Sequence, residues 1–170
     1  MKEFRGSESL LDIFNKINEN YPGFYKSGSM LCLSGGHGKG KTTILTQILK
    51  KGAQKNYSVL YTTLGDVVDG LISAPYEDKF SAKKELTMVD ILCIDELDPR
   101  HINNGAGADL FGRTLDRVLR TRYENKLPTL FATNSPNVKE IFTGEIKASL
   151  DSIMSKMKEI PVIGKDFRKE

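Results

Sequence analysis

Residues 35–42 read GGHGKGKT, and this stretch with its two flanks decides the fold of the 170-residue chain. The apolar run before it, residues 30–33 (MLCL), ends abruptly in glycine and is typical of a buried strand. After it, residues 44–49 (ILTQIL) place apolar side chains at helical spacing, and residues 50–52 (KKG) have the composition of a helix C-terminus. The sequence therefore predicts a strand, a glycine-rich loop and a helix in immediate succession.

This stretch satisfies the pattern G-x-x-x-x-G-K-[ST], in which backbone N–H groups and a helix N-terminus bind phosphate. Lys41 is expected to reach the β- and γ-phosphates of a nucleotide, and the Thr42 hydroxyl to ligate Mg²⁺. A glycine-rich turn without a ligand is the competing interpretation, and the flanking strand and helix weigh against it. The predicted nucleotide-binding residues are Gly35, Gly36, His37, Gly38, Lys39, Gly40, Lys41, Thr42 and Thr43.

Two carboxylates follow the apolar strand predicted over residues 89–94. The carboxyl ends of strands border the ligand crevice of an open α/β sheet, so we expect Asp95 to hold Mg²⁺ there. Glu96 is expected to orient and polarise the water that attacks the γ-phosphate, which favours ATP hydrolysis over kinase chemistry. The competing interpretation is a strand end that simply reaches solvent.

A further apolar strand, residues 128–133 (PTLFAT), ends at Asn134. By the same strand-end geometry, Asn134 is predicted to hydrogen-bond the attacking water or the γ-phosphate. An asparagine that only starts the turn at residues 135–137 is the competing interpretation.

Strand-like and helix-like segments alternate along the rest of the chain. Strands are also predicted at 59–63 and 160–163, and helices at 9–20, 66–72, 109–123 and 146–157; residues 73–86 are predicted as a polar loop, and 105–108 as a weak, mobile spot. Alternation of this kind predicts a three-layer α/β domain, a five-stranded parallel sheet flanked by helices.

The composition excludes several classes of protein. With 39% hydrophobic and 28% charged residues the chain is neither disordered nor membrane-spanning, and a net charge of +3 does not by itself indicate nucleic-acid binding. Cys32 and Cys93 lie in apolar segments and are predicted to be buried free thiols in a reducing compartment.

Together these motifs resemble the AAA+ ATPases, in the branch of the DnaC-like bacterial helicase loaders and the related IstB-like transposition ATPases. Residues 6–11, 92–96, 122–124, 128–134 and 164–168 carry the resemblance, which covers nearly the whole chain. It implies an AAA+ (ASCE) P-loop core without a C-terminal lid, here a single domain over 1–170 with a lead-in at 1–27 and the core at 28–170. It also implies ATP or ADP and Mg²⁺ as cofactors and a cytoplasmic protein encoded by a bacterium or phage. The chain begins almost at this core, so it is either a fragment or a minimal version of a loader.

In this family an arginine of the last helix reaches the nucleotide of the next subunit in an ATP-dependent oligomer. Lys156 stands in that segment, and lysine lacks the planar fork of arginine, which predicts slow hydrolysis by the isolated chain. Arg120 and Arg122 are the alternative trans-acting residues, although a basic helix face is more often only solvated.

The resemblance further implies a replicative helicase and single-stranded DNA as partners. Lys79, Lys83 and Lys84 are the candidate DNA contacts, with Tyr76 and Phe80 able to stack on bases, and a solvated polar loop is the competing interpretation. Two other functions stay open: an IstB-like transposition helper that acts on duplex DNA, and a nucleotide-gated binding module whose hydrolysis is vestigial. A small-molecule kinase is disfavoured by Glu96.

Overall fold

Five short parallel strands form one sheet in the order β2-β3-β4-β1-β5. The structure, a computed structural model, describes residues 8–98, 106–138, 141–164 and 166. The strands are β1 (Met30–Ser34), β2 (Val59–Thr63), β3 (Ile91–Asp95), β4 (Thr129–Thr133) and β5 (Lys158–Pro161). The predicted five-stranded parallel sheet is confirmed.

Seven α-helices and one π-helical turn accompany these strands in the described residues. They are α1 (Glu8–Glu19), α2 (Tyr21–Ser27), α3 (Lys41–Gln54), α4 (Leu64–Val68), the π-helix Asp69–Ser73, α5 (Tyr76–Met88), α6 (Ala106–Glu124) and α7 (Gly144–Met154). None of them combines the length and the apolar character that crossing a bilayer requires, within the residues searched.

Two apolar clusters, one on each face of the sheet, form the core. Leu92 and Ile94 of β3 pack with side chains of α4 to α7, whereas Ile91 and Cys93 pack with those of α1 and α3. Every residue of β3 and β4 is buried, which is why both strands are nearly continuous apolar runs rather than alternating ones. The arrangement confirms the three layers predicted from the sequence.

The polar loop predicted over residues 73–86 is wrong, because most of that segment is helix α5. Only Leu86 of this helix is buried, so the apolar spacing that normally marks a helix is missing. Its start nevertheless carries a signal in Pro75 followed by Glu77 and Asp78, a proline and acidic residues at a helix N-terminus.

The other boundaries differ by a few residues. Asn20 was predicted to end the first helix; its side chain instead accepts a 3.0 Å hydrogen bond from the Gly23 N–H and caps α2. Strand β5 begins two residues earlier than predicted, and residues 106–108 belong to α6 rather than to a mobile spot. Gly105 and residues 6–7, 165 and 167–168 lie outside the described part of the chain.

Arg122 of α6 is fully buried at the edge of the sheet where β3 and β4 begin. Its guanidinium donates hydrogen bonds of 2.7 to 3.0 Å to four acceptors, the carbonyls of Leu86, Val89 and Pro128 and the hydroxyl of Thr129. Burial lowers the pKa of Arg122 to about 10, which leaves the side chain charged at neutral pH. The expectation that Arg122 reaches a neighbouring subunit is therefore wrong, because its guanidinium is buried and hydrogen-bonded to acceptors of its own chain.

Replacing Arg122 with methionine should lower the free energy of unfolding by about 3 kcal/mol, since several buried carbonyls lose their donor at once. Urea unfolding followed by circular dichroism measures the effect. Arg120→Met is the matched control on the same helix; Arg120 is exposed and forms a surface ion pair with Asp116 at 2.9 Å, so a change within about 0.5 kcal/mol is expected. Equal midpoints for Arg122→Met and the wild-type chain would contradict the structural role of Arg122.

Candidate nucleotide-binding site

The loop between β1 and α3 adopts a conformation that its glycines make possible. Gly35, Gly38 and Gly40 have φ values of 139°, 70° and 86°, in the region that side chains disfavour. A Cβ on Gly35 would lie 2.6 Å from the carbonyl oxygen of Val162. Gly40 is the N-cap of α3 and offers no side-chain acceptor, so the first N–H groups of this 14-residue helix face the loop without a side-chain cap.

Lys41 lies inside this loop with only 6% of its surface exposed. Its ammonium group donates to the carbonyl oxygens of Gly35 and Gly36, at 2.6 and 2.8 Å, and to Oδ1 of Asn134 at 3.0 Å. Two of the side chains predicted from separate motifs, Lys41 and Asn134, are thus in direct contact. A buried ammonium group next to helix amides that no side chain caps suits a polyanionic ligand.

The Thr42 hydroxyl donates a 2.7 Å hydrogen bond to Oδ2 of Asp95, a residue buried at the end of β3. A hydroxyl and a carboxylate oxygen at this separation are hard oxygen ligands of the kind Mg²⁺ prefers. No cluster of three or more acidic, histidine or cysteine side chains able to hold a metal occurs among the described residues. Thr42 and Asp95 therefore fit a Mg²⁺ ion that takes its remaining ligands from phosphate and water, as this ion commonly does in nucleotide sites.

Glu96 follows Asp95 at an exposed corner. Its backbone has a φ of 51°, in the left-handed region, and its N–H donates to Oδ1 of Asp95 at 2.7 Å. The chain then crosses the end of β4, where the Leu97 N–H donates to the Ala132 carbonyl at 2.8 Å. The Glu96 carboxylate is consequently left exposed, next to a buried and hydrogen-bonded Asp95.

Tyr61 is a member of the site that was not predicted from the sequence, where it was predicted only to be part of a strand. Its hydroxyl donates to Oδ2 of Asp95 at 2.9 Å. The only signal in the sequence was a polar-tipped side chain near the carboxyl end of a strand, and the register confirms its place: Tyr61 pairs with Cys93, two residues before Asp95.

The base of the loop rests on β5 and the residue after it. Ser34 donates to Oε1 of Glu159 at 2.6 Å, and the Val162 N–H donates to the Ser34 carbonyl at 2.7 Å. The Lys39 ammonium donates to the Val162 carbonyl at 3.1 Å, so in this structure Lys39 braces the loop. His37 and Thr43 are exposed.

The remaining predicted residues lie away from this loop. Lys156 is exposed and precedes β5 by two residues, at the edge where the strands begin, and Arg120 lies on the outer face of α6. Lys79, Lys83 and Lys84 belong to α5. Neither Lys156 nor Arg120 is therefore brought to the phosphate loop of its own chain.

Replacing Lys41 with alanine should weaken ATP binding by roughly a hundredfold or more, because the phosphates lose a charged hydrogen-bond donor. Titration calorimetry in the presence of Mg²⁺ measures the effect. Lys50→Ala removes an exposed lysine from the same helix and should bind like the wild-type chain. Unchanged affinity of Lys41→Ala would refute the assignment of the loop.

Comparisons with known proteins agree with the fold. The chain matches the solved structure of DnaI with a TM-score of 0.69 and 21% identity, over 99% of this chain and 87% of that one. The DnaC helicase loader gives 0.67 and 16%, over 94% of each chain. The replication initiator DnaA bound to AMPPCP and single-stranded DNA gives 0.73 and 13%, over 97% of this chain and 49% of that one, so the chain spans about half of DnaA.

At these identities the solved structures establish the fold, which is that of the AAA+ proteins named in the sequence analysis. No curated protein matches the chain in a sequence search. A family model does match, and it is that of the IstB-like ATP binding protein, over residues 22–170. This match confirms the resemblance read from the motifs and extends from α2 through the loop, Asp95 and Asn134 to the last residue. The chain belongs to the IstB-like ATP-binding proteins.

Proposed function

We propose that the chain binds ATP with Mg²⁺ at residues 35–42, hydrolyses it, and acts in DNA replication as a helicase loader that contacts single-stranded DNA. The observation that carries the ATPase part is the meeting of three separate motifs at one edge of the sheet. Lys41 contacts Asn134 at 3.0 Å, and Thr42 contacts Asp95 at 2.7 Å. The α/β fold itself does not require these polar side chains at one edge of the sheet, whereas phosphoryl transfer requires a cation, a metal site and a water-positioning group beside the phosphates.

The proposed roles follow from the position of each side chain. Lys41 binds the β- and γ-phosphates, for which its contact with Asn134 must open. Glu96, exposed beside Asp95, accepts the proton of the attacking water, and the Asn134 amide orients that water or the γ-phosphate. Bound Mg²⁺ supplies neutralisation of phosphate charge, and Thr42 and Asp95 would hold it.

Assembly is proposed because, within the described ranges, neither Lys156 nor Arg120 lies beside the phosphate loop of its own chain. Lys156 lies at the opposite edge of the sheet from the loop, so it can serve only the nucleotide of another subunit. A lysine at that position would neutralise phosphate charge as a point charge, and it lacks the bidentate hydrogen bonds of an arginine. An ATP-dependent homo-oligomer with slow turnover in the isolated chain follows from this arrangement.

Contact with single-stranded DNA is proposed for the exposed side of α5. Tyr76 and Phe80 are 86% and 67% exposed and lie one helical turn apart, and Lys79, Lys83 and Lys84 are on the same helix. Aromatic rings on a helix form a stacking surface, and lysines beside them attract the phosphate backbone. Two structural neighbours, the DnaC helicase loader and a DnaA bound to single-stranded DNA, support this choice of partners.

A transposition helper is the second candidate, since the matching family is the IstB-like one. It would use the same nucleotide site and differ in its partners, a transposase and duplex DNA. A nucleotide-gated module with vestigial hydrolysis is the third, and Lys156 is the residue that favours it.

Replacing Glu96 with glutamine should leave ATP binding intact and lower hydrolysis at least about tenfold, because a positioned base typically contributes roughly a hundredfold or more. Steady-state phosphate release measures turnover, and calorimetry measures binding. Glu124→Gln, an exposed glutamate at the end of α6, is the control and should behave like the wild-type chain. Undiminished turnover in Glu96→Gln would remove Glu96 from the role of base.

Replacing Phe80 with alanine should weaken binding of a fluorescent oligo-dT by about fivefold or more, because a stacked base loses its ring. Fluorescence anisotropy with ATP present and at low salt measures the affinity. Met88→Ala, which removes an equally exposed (65%) apolar side chain from the same helix, should bind normally.

A pull-down with a replicative helicase, with and without ATP and single-stranded DNA, tests the partner. Capture of the helicase supports the loader. Preference for duplex DNA over oligo-dT together with no capture would favour the transposition helper instead.

A further inference from the structure

The Asp95 carboxylate is held by three hydrogen bonds, and two of them end on the same oxygen. Oδ1 accepts from the Glu96 N–H at 2.7 Å. Oδ2 accepts from the Thr42 hydroxyl at 2.7 Å and from the Tyr61 hydroxyl at 2.9 Å. The carboxylate is thus fixed in one orientation at the carboxyl edge of the sheet.

The two donors on Oδ2 differ in what they can do when a nucleotide binds. Thr42 is the second residue of helix α3, directly behind the loop, and its hydroxyl oxygen is itself a candidate ligand of Mg²⁺. Tyr61 belongs to β2, which β3 and β4 separate from β1 and its loop, so its phenol is placed to bind Asp95 and not the phosphates. When Thr42 turns to the metal, Tyr61 remains as the side chain that holds Oδ2.

The surroundings of Tyr61 favour a role in the site over a role in the core. Tyr61 is 41% exposed, whereas Cys93 and Ile94 on the neighbouring strand are fully buried. Burial of the hydroxyl, and then its hydrogen bond to Asp95, raise the pKa of Tyr61, in keeping with a phenol that donates to the carboxylate.

We propose that Tyr61 is a positioning residue of the magnesium site: it holds Asp95 Oδ2 in place and thereby increases the gain in nucleotide affinity that Mg²⁺ provides. The inference rests on the proposed function, because it requires Thr42 and Asp95 to be the metal-binding pair. Tyr61 itself touches neither nucleotide nor metal in this scheme and acts only through Asp95.

The test is Tyr61→Phe, which keeps the ring and removes only the hydroxyl. ADP binding is measured by titration calorimetry twice for each protein, once in excess EDTA and once in excess Mg²⁺. ADP avoids turnover, so the readout is a binding ratio and not an activity. In the wild-type chain, Mg²⁺ is expected to raise the affinity at least about tenfold.

For Tyr61→Phe we expect the affinity in EDTA to equal that of the wild-type chain and the gain from Mg²⁺ to fall roughly fivefold, the worth of one hydrogen bond. Tyr123→Phe is the matched control: Tyr123 is 42% exposed, at the distant end of α6, and its variant should keep the full gain. Asp95→Asn should lose most of the gain and marks the scale of the effect.

The outcomes separate this inference from the proposed function. If the wild-type chain gains from Mg²⁺, Asp95→Asn does not, and Tyr61→Phe matches the wild-type chain, the role of Tyr61 is overturned and the ATP site stands. A loss of affinity by Tyr61→Phe that is equal in EDTA and in Mg²⁺ also overturns it, because a purely structural defect would act in both. A wild-type chain that binds no ADP, or shows no gain from Mg²⁺, overturns the metal site and the role of Tyr61 together.

Discussion

Parallel strands that start in register must also end together, and this constraint creates the site. Ser34 pairs with Thr133, and Thr63 pairs with Asp95, so the last residues of four strands form a row along one edge of the sheet. With strands of only five residues, whatever follows each apolar run is delivered to that edge. Asp95 and Asn134 are distant in the sequence and come together at this edge for this reason, and the loop that follows β1 brings Lys41 to them.

This constraint also explains how much could be predicted from the sequence. The loop, Asp95, Glu96 and Asn134 could be found because each follows directly on a buried strand, where composition changes abruptly from apolar to polar. Tyr61 could not be found, because it lies inside β2 and a tyrosine is an ordinary residue of a strand. Its proposed role depends on a contact between two adjacent strands, β2 and β3, and such a contact cannot be predicted from the local sequence pattern.

The predictions for helix α5 and for Arg122 were wrong for a different physical reason. Helix α5 buries only Leu86, so it lacks the apolar spacing by which helices are recognised, and it was predicted as a loop. Arg122 is predicted together with Arg120 as an alternative trans-acting residue because both are basic residues of one helix, yet two positions along a helix are about 200° apart. One therefore points outward to Asp116 and the other into the carbonyls that precede β3 and β4.

Strand β5 supplies no ligand to the proposed site, yet the phosphate loop takes its shape from it. The Val162 carbonyl accepts from Lys39 and lies where a side chain on Gly35 would have to go. Strand β5 and Val162 after it therefore fix the conformation of the loop through these contacts. Length changes between α7 and Val162 would disturb the geometry around Lys41 even though they touch none of the motif, and variation among homologues should be poorly tolerated in that short connection.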